Sequence, residues 1–264
     1  MMIDKPLTWK GLVATAGLSL AKERPLRKPI RILSLGAGVN SVALLVLKSQ
    51  EKVDFDIAVF ANTGGEHPET YQYIEQIIKP FCQEHEIPLE IVKREGKDLY
   101  QSSLEHRIIP TRMFRSCTDN FKIRVLRKFI MQKFPDQEVN FLIGIDAGEQ
   151  QRAKQDCGNS YPLIDLGIDR EGCKQIIKDA GLPIPVKSGC FFCPFTPKKG
   201  WLNLLKNHPD LYRKAEELEK NGQRYPEIKL ANISLERVRE SIEDQKSLCN
   251  FLNNCPICEV EYNE

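Results

Sequence analysis

Residues 30–50 constrain the fold more than any other stretch. An apolar, β-branched run, Ile30–Leu35, enters a turn of small residues, Gly36–Asn40, and then an apolar segment of helical character, Ser41–Gln50. The same alternation recurs downstream. The spacing predicts strands at Asp56–Ala61, Leu89–Lys93 and Asn140–Ile145, with a short fifth at Tyr161–Asp165. Between them it predicts a helix from Pro68 to about His85 and another over Thr118–Phe134. Pro68 suits a first helical turn, where its missing N–H has no intrahelical partner. Strands alternating with helices imply an α/β fold: a mostly parallel, five-stranded sheet covered by helices on both faces.

Beyond Asp169 the pattern changes. Asp169–Ala180 reads as a helix stopped by Gly181, Pro183 and Pro185. Helices are then expected over Lys198–Lys206, Pro209–Asn221 and Leu235–Leu252. The predicted organisation is an N-terminal arm (1–29), an α/β nucleotide-binding domain (30–180), and a small helical, cysteine-containing lid (181–264). In the arm, Gly11–Ala21 is mildly apolar and of signal-sequence length. Trp9, Thr15 and the charged Lys22–Arg24 that follow favour a short helix or arm instead. No apolar run approaches the ~20 residues of a membrane helix.

Composition excludes several classes. Charged residues make up 28%, the hydrophobic class 41%, and the formal net charge is +2, which argues against disorder and against one large basic nucleic-acid surface. Nine cysteines in 264 residues are too few for a disulfide scaffold. Two pairs, Cys190/Cys193 and Cys255/Cys258, have C-x-x-C spacing, which in a chain of this length points to metal or redox chemistry in a reducing, cytoplasmic setting. Such a pair can place two thiolates on one ion, and four thiolates suit tetrahedral Zn²⁺ or a [4Fe–4S] cluster. The neighbouring Phe191, Phe192, Phe195 and Trp201 read as the hydrophobic shell of that centre.

The Gly36–Ser41 turn combines close backbone approach with the free N–H groups of a helix N-terminus, a setting for anions. Ser41 adds a hydroxyl donor. The segment has neither the Lys of a Walker loop nor G-x-G-x-x-G spacing. By itself it is as often a plain tight βα connection as a phosphate site.

Five ordered segments carry a resemblance. Ser34–Ser41 (SLGAGVNS) is similar to the S-G-G-x-D-S loop of the PP-loop ATP pyrophosphatase superfamily, in its phosphoadenosine phosphosulfate reductase-like branch. Phe60–Tyr71 (FANTGGEHPETY), Arg115–Arg127 (RSCTDNFKIRVLR), Gly144–Arg152 (GIDAGEQQR), and Tyr161–Asp165 (YPLID) with Ser188–Phe195 (SGCFFCPF) resemble that branch's further motifs. The likeness covers roughly residues 30–215 and implies a HUP-like fold. Departures stand at Ala37, Asn40, Asn62, Val125 and Gly148; three of them remove a carboxylate and so weaken the expected handling of Mg²⁺.

The resemblance implies ATP and Mg²⁺ as ligands. It implies a nucleotide site of Ser34, Gly36, Ala37, Gly38, Asn40, Ser41, Asn62, Thr63, Gly64, Gly144 and Glu149. It places Cys117, Lys122, Arg127 and Arg152 in the chemistry, the cations on phosphate or sulfate oxygens. Two ligand sets stay open: Cys190, Cys193, Cys255 and Cys258, or Cys117 with Cys190 and Cys193 as in iron–sulfur tRNA thiolases of the superfamily. The cluster is expected to be [4Fe–4S], with Zn²⁺ the alternative.

The functional expectation is an enzyme that adenylates an acceptor, releasing pyrophosphate, coupled to sulfur transfer. The rivals are a reductase of adenylyl sulfate or its 3′-phosphate, and a non-catalytic nucleotide-binding regulatory module, which the lost carboxylates favour. Expected partners are ATP or an adenylyl sulfate-type nucleotide, a nucleic-acid or small-molecule acceptor, a sulfur-donor protein, and a second copy of the chain. Arg112, Arg115, Arg124, Arg127, Lys187, Lys198, Lys199 and Lys206 flank the expected site, either tracking a nucleic-acid backbone or neutralising a triphosphate.

Overall fold

A computed structural model describes residues 28–113, 115–154, 158–222, 229–231 and 234–241. Its centre is a five-stranded sheet in the order β3-β2-β1-β4-β5, every neighbour parallel. The strands are β1 (Ile30–Leu35), β2 (Ile57–Asn62), β3 (Leu89–Lys93), β4 (Val139–Ile143) and β5 (Asn159–Ser160). The chain runs outward from β1 to β3, then crosses back to β4 on the other side of β1. The order reverses between β1 and β4, and in open α/β sheets the crevice outside the carboxyl ends of such strands is where ligands bind.

Side-chain alternation on the strands builds two cores. Leu33 and Leu35 of β1 join Ala58 and Phe60 of β2 on one face. Ile30 and Ile32 join Ile57, Val59 and Ala61 on the other. The first face is covered by α1 (Val39–Ser49), whose residues Val39–Leu47 are all buried, and by α8 (Arg170–Asp179) through Cys173 and Ile177. α6 (Arg124–Lys133) covers the second through Leu126 and Ile130. Each fully buried leucine of α1 contributes roughly 1.5–3 kcal/mol relative to exposure. α1 is therefore fixed firmly against β1, and the turn between them is held with it.

A third cluster lies beside the sheet. Leu99 of α4 (Leu99–Glu105), Phe121, and Phe191 and Phe192 of the cysteine loop pack with Trp201 and Leu204 of α9 (Lys198–Asn207) and Tyr212, Ala215 and Leu218 of α10 (Pro209–Asn221). The helical segment expected in the lid is thus packed around the cysteine loop. The helix expected over Leu235–Leu252 is helical at 235–241, and its remainder lies outside the described residues. The arm before residue 28 lies outside them too, and among the described residues no helix is long and apolar enough to cross a membrane.

Several expected elements differ. Tyr161–Asp165 is not a strand: β5 occupies the two residues before it, and Pro162–Asp165 forms a short helix, α7, with Pro162 in its first turn. The helix expected from Pro68 to His85 is interrupted. α2 (Pro68–Tyr73) passes through a π-helical turn, Ile74–Ile78, into α3 (Lys79–Glu84). Pro80 has no N–H for the ladder, and the wider turn ahead of it accommodates the loss. The Thr118–Phe134 helix begins as a single turn, α5 (Ser116–Thr118), and a second π-helical turn, Asp119–Ile123, before α6. α4 is an additional helix, capped by Asp98, which accepts from the Gln101 backbone N–H at 2.7 Å while the Gln101 side chain accepts from the Asp98 N–H. That reciprocal pair satisfies two otherwise orphaned donors.

Candidate functional site

Three loops meet at the carboxyl end of the sheet. The first follows β1. Ser34 lies half-buried near the end of that strand, and the turn Gly36–Gly38 leads into α1. Ser41 closes the turn on itself: its hydroxyl donates to the Gly38 carbonyl at 3.0 Å and accepts the Gly36 N–H at 3.2 Å. Ala37 holds φ 53°, the left-handed region where the family loop usually has glycine. A residue with a Cβ there carries on the order of 1 kcal/mol of strain, held in place by the buried helix behind it.

Asn40 stands where the loop that this one resembles usually has aspartate. Its amide nitrogen donates to Asp146 Oδ2 at 2.9 Å and to the Gly144 carbonyl at 3.2 Å, and its amide oxygen accepts from Arg170 Nη1 at 2.9 Å. Asp146 is buried, 2% exposed, and follows β4. The carboxylate absent from position 40 is thus present beside it, just past the strand across the switch point. Asp146 and Arg170 are residues that the sequence motifs did not single out; the signal available for Asp146 was its place just past a strand end. Gly144 makes the contact feasible. A Cβ there would lie 3.1 Å from the Ser41 nitrogen and 3.2 Å from the Asn40 carbonyl carbon. The Asn40–Ser41 peptide, held by the buried start of α1, cannot yield cheaply, so Gly144→Ala is expected to cost about 1–3 kcal/mol in chemical denaturation.

The second loop follows β2. Asn62 Oδ1 accepts from the Gly64 N–H at 2.8 Å and from the Tyr71 hydroxyl at 2.9 Å. Burial pushes the Tyr71 phenol up to about 12, keeping it a proton donor. Thr63 is buried and its hydroxyl donates to Glu66 Oε1 at 3.3 Å.

The third is the cysteine loop, which pairs with the second as a short antiparallel bridge between Glu66 and Cys190. The Phe191 N–H donates to the Gly65 carbonyl at 2.9 Å, and the His67 N–H donates to that of Gly189 at 3.1 Å. The loop also touches the first: a Cβ on Gly38 would come within 2.8 Å of the Ser188 hydroxyl. Where the loops join, Lys122 Nζ stands 3.1 Å from Glu66 Oε1. Burial alone pulls this ammonium down, but the Glu66 carboxylate and the neighbouring Cys190 and Cys117 outweigh it and hold it charged. Glu66 Oε2 is buried with no hydrogen-bond partner among the described residues, an open acceptor inside the cluster.

Cys190 lies against this cluster, its sulfur 3.4 Å from the Thr63 hydroxyl. Burial first, and the Glu66 charge second, push its thiol up to about 12. Burial also raises Cys193, with Cys117 adding to it, so the three thiols sense one another. Among the described residues, however, no group of three or more His, Cys, Asp or Glu is arranged to hold a metal ion. Cys255 and Cys258, the rest of the other ligand set, lie outside the described residues. Burial keeps Cys190 a protonated thiol near neutral pH, the unreactive form. Iodoacetamide should therefore leave Cys190 unlabelled in the native protein and label it after unfolding, read by peptide mass spectrometry.

The remaining expected residues are spread out. Arg152 and Glu149 are ion-paired with each other on a 3-10 turn, Ala147–Arg152. Arg124 pairs with Asp119 at 2.8 Å, and Arg127 is exposed beside Arg124, Lys128 and Met131 along α6. Of the aromatics around the cysteine turn, Phe191, Phe192 and Trp201 are buried, whereas Phe195 is 47% exposed.

Residues 31–157 match the family model of the phosphoadenosine phosphosulfate reductase domain. An uncharacterized protein of Methanocaldococcus jannaschii is 26% identical over 117 residues, 44% of this chain and 23% of that protein, so the chain spans less than a quarter of its curated relative's length. Among solved structures, a phosphoadenylyl-sulfate reductase from Candida auris in complex with phosphate is 16% identical at TM-score 0.43, covering 60% of this chain and 76% of that one. The U34-tRNA thiolase NcsA of Methanococcus maripaludis, with its [4Fe-4S] cluster, is 18% identical at TM-score 0.46, covering 77% and 75%. Over residues 31–157, just under half of its length, this chain is similar to the phosphoadenosine phosphosulfate reductase domain.

Proposed function

We propose that the protein is an ATP-binding enzyme that transfers the adenylyl group of ATP to an acceptor. The acceptor's oxygen attacks the α-phosphorus, a bond to that oxygen forms, the bond to the β-phosphate oxygen breaks, and pyrophosphate leaves. The observation that carries this reading is the junction of the three loops: a phosphate-type turn, a charged Lys122, and a buried Glu66 with one unpartnered oxygen. Backbone N–H groups of the turn and the N-terminus of α1 hold phosphate oxygens. Lys122 offsets charge that builds on them, and Glu66 Oε2 takes the proton that the acceptor releases. Asp146, buried against Asn40, supplies a carboxylate on the phosphate side for the Mg²⁺ that accompanies ATP.

Coupling to sulfur transfer is the further part of the proposal. It rests on the match to the family model and on Cys117, Cys190 and Cys193 near Lys122. The second reading is a reductase of adenylyl sulfate or its 3′-phosphate, favoured by the matched family model. The two separate by product. ATP with acceptors should give pyrophosphate under adenylation, whereas sulfite released from adenylyl sulfate with a dithiol, and no pyrophosphate from ATP, would replace that reading with the reductase.

A further inference from the structure

Phe195 departs from its neighbours. Phe191 is 5% exposed and Phe192 is fully buried, yet Phe195, two residues past Cys193, is 47% exposed. Two arginines flank its ring: the guanidinium carbons of Arg112 and Arg115 lie 5.7 Å and 5.6 Å from the centroid. Both cations come from the segment leading to Cys117, so the ring joins the two cysteine-bearing segments at the surface.

The group is anchored to the backbone of the same turn. Arg112 Nε donates to the Pro194 carbonyl at 2.7 Å, and Lys187 Nζ donates to the Phe195 carbonyl at 3.4 Å. Arg115 holds φ 43°, a left-handed conformation that costs a residue with a Cβ roughly 1–2 kcal/mol. Strain of that kind persists where the surroundings impose it, and it concentrates at functional positions. Three cations gathered on one turn repel each other, an arrangement that an anionic ligand relieves. A half-exposed phenyl ring flanked by two guanidinium groups suits a ligand that is both planar and anionic. A base on a sugar–phosphate strand is such a ligand: the base stacks on the ring and the cations take phosphate oxygens.

We propose that Phe195, Arg112 and Arg115 form a stacking platform for one base of a single-stranded nucleic acid, with Lys187 on its backbone. The strand is the acceptor of the adenylyl transfer proposed above, and in that respect the inference rests on that reading. The basic residues flanking the site then act as a track that leads a strand to the cysteine loop.

The test is fluorescence anisotropy of the full chain with a labelled single-stranded oligonucleotide of about 12 nucleotides, as RNA and as DNA, and with the matching duplex. Phe195→Ala should raise Kd about tenfold or more, Phe195→Trp should restore it, and Phe195→Leu should not. Arg112→Gln with Arg115→Gln should flatten the slope of log K against log salt by roughly 1.4, the loss of two phosphate contacts. ATP affinity of Phe195→Ala, by dialysis, should stay at the wild-type value. An unchanged Kd in Phe195→Ala, tighter binding of the duplex, or an ATP affinity that falls with strand affinity would each overturn the platform. Strand binding with this signature but no AMP formed from ATP would sink the adenylation reading and leave the platform standing. AMP formed on another acceptor with no strand bound would do the reverse.

Discussion

Lys122→Met should lower the rate of AMP formation from ATP about 10²–10³-fold, the usual loss when one preorganised electrostatic donor is removed. The same substitution should destabilise the fold. It leaves Glu66, only 1% exposed in its side chain, with the Thr63 hydroxyl and no cation. Breaking a fully buried pair costs about 3–5 kcal/mol; with Lys122 40% exposed in its side chain, about 2–3 kcal/mol is expected. Glu66→Gln combined with Lys122→Met removes the stranded charge and should recover most of that stability in chemical denaturation, while AMP formation stays low. Recovery of activity together with stability would mean that neither Lys122 nor Glu66 takes part in the chemistry and that the pair only holds the fold. Lys122→Arg should keep the charge but not the fit, and sit between wild type and Met.

Asn40→Asp, which restores the residue typical of the superfamily loop, should weaken this protein. The Asn40 amide now donates to Asp146 Oδ2 at 2.9 Å and to the Gly144 carbonyl. A carboxylate there loses both bonds and faces a second carboxylate, while Arg170, which now donates to Asn40 Oδ1 at 2.9 Å, offsets part of the repulsion. The net cost is about 2 kcal/mol near neutral pH. The sign with pH follows from the pair. Two carboxylates in contact raise the folded-state affinity for a proton above the unfolded one, so the penalty is complete at high pH and is relieved as pH falls through the raised folded value. Denaturation of the wild type and Asn40→Asp at about pH 8 and pH 5 measures this; a gap that does not narrow at the lower pH would contradict the contact with Asp146. Asn40→Asp with Asp146→Asn should restore stability by swapping the two partners.

The same contact explains what could be read from the residues and what could not. The β1–turn–α1 unit, the parallel strands and the helices of the 198–221 region follow from local periodicity, and their observed bounds stay close to expectation. Elements set by one or two residues did not follow. β5 is Asn-Ser, with no apolar signal, while the Pro-Leu-Ile-Asp segment after it is an apolar run that strand and helix share. The π turns depend on Pro80 and on packing, and α4 was announced only by its Asp98–Gln101 cap.

At the site, the loops themselves were legible as motifs, because their chemistry is local. Their partners were not. Asn40 meets Asp146 across 106 positions and Thr63 meets Cys190 across 127, and only the sheet order and the Glu66–Cys190 bridge bring them together. Read one position at a time, Asn40 looked like a lost carboxylate; in the fold it is the donor that an adjacent carboxylate requires. Phe195 is the converse case, an aromatic grouped with a buried shell by its spacing and separated from it by its exposure.

The most direct test follows the phosphorus atoms of ATP. ATP carrying ³²P in the α position is incubated with the full-length protein, Mg²⁺ and single-stranded RNA or DNA, and the products are separated. Label is expected in AMP or in an adenylylated strand, with an equal amount of pyrophosphate, in the wild type and far less in Lys122→Met. Label in ADP with orthophosphate released would place cleavage at the γ-phosphate and contradict an adenylyl-transfer site at the junction of these three loops.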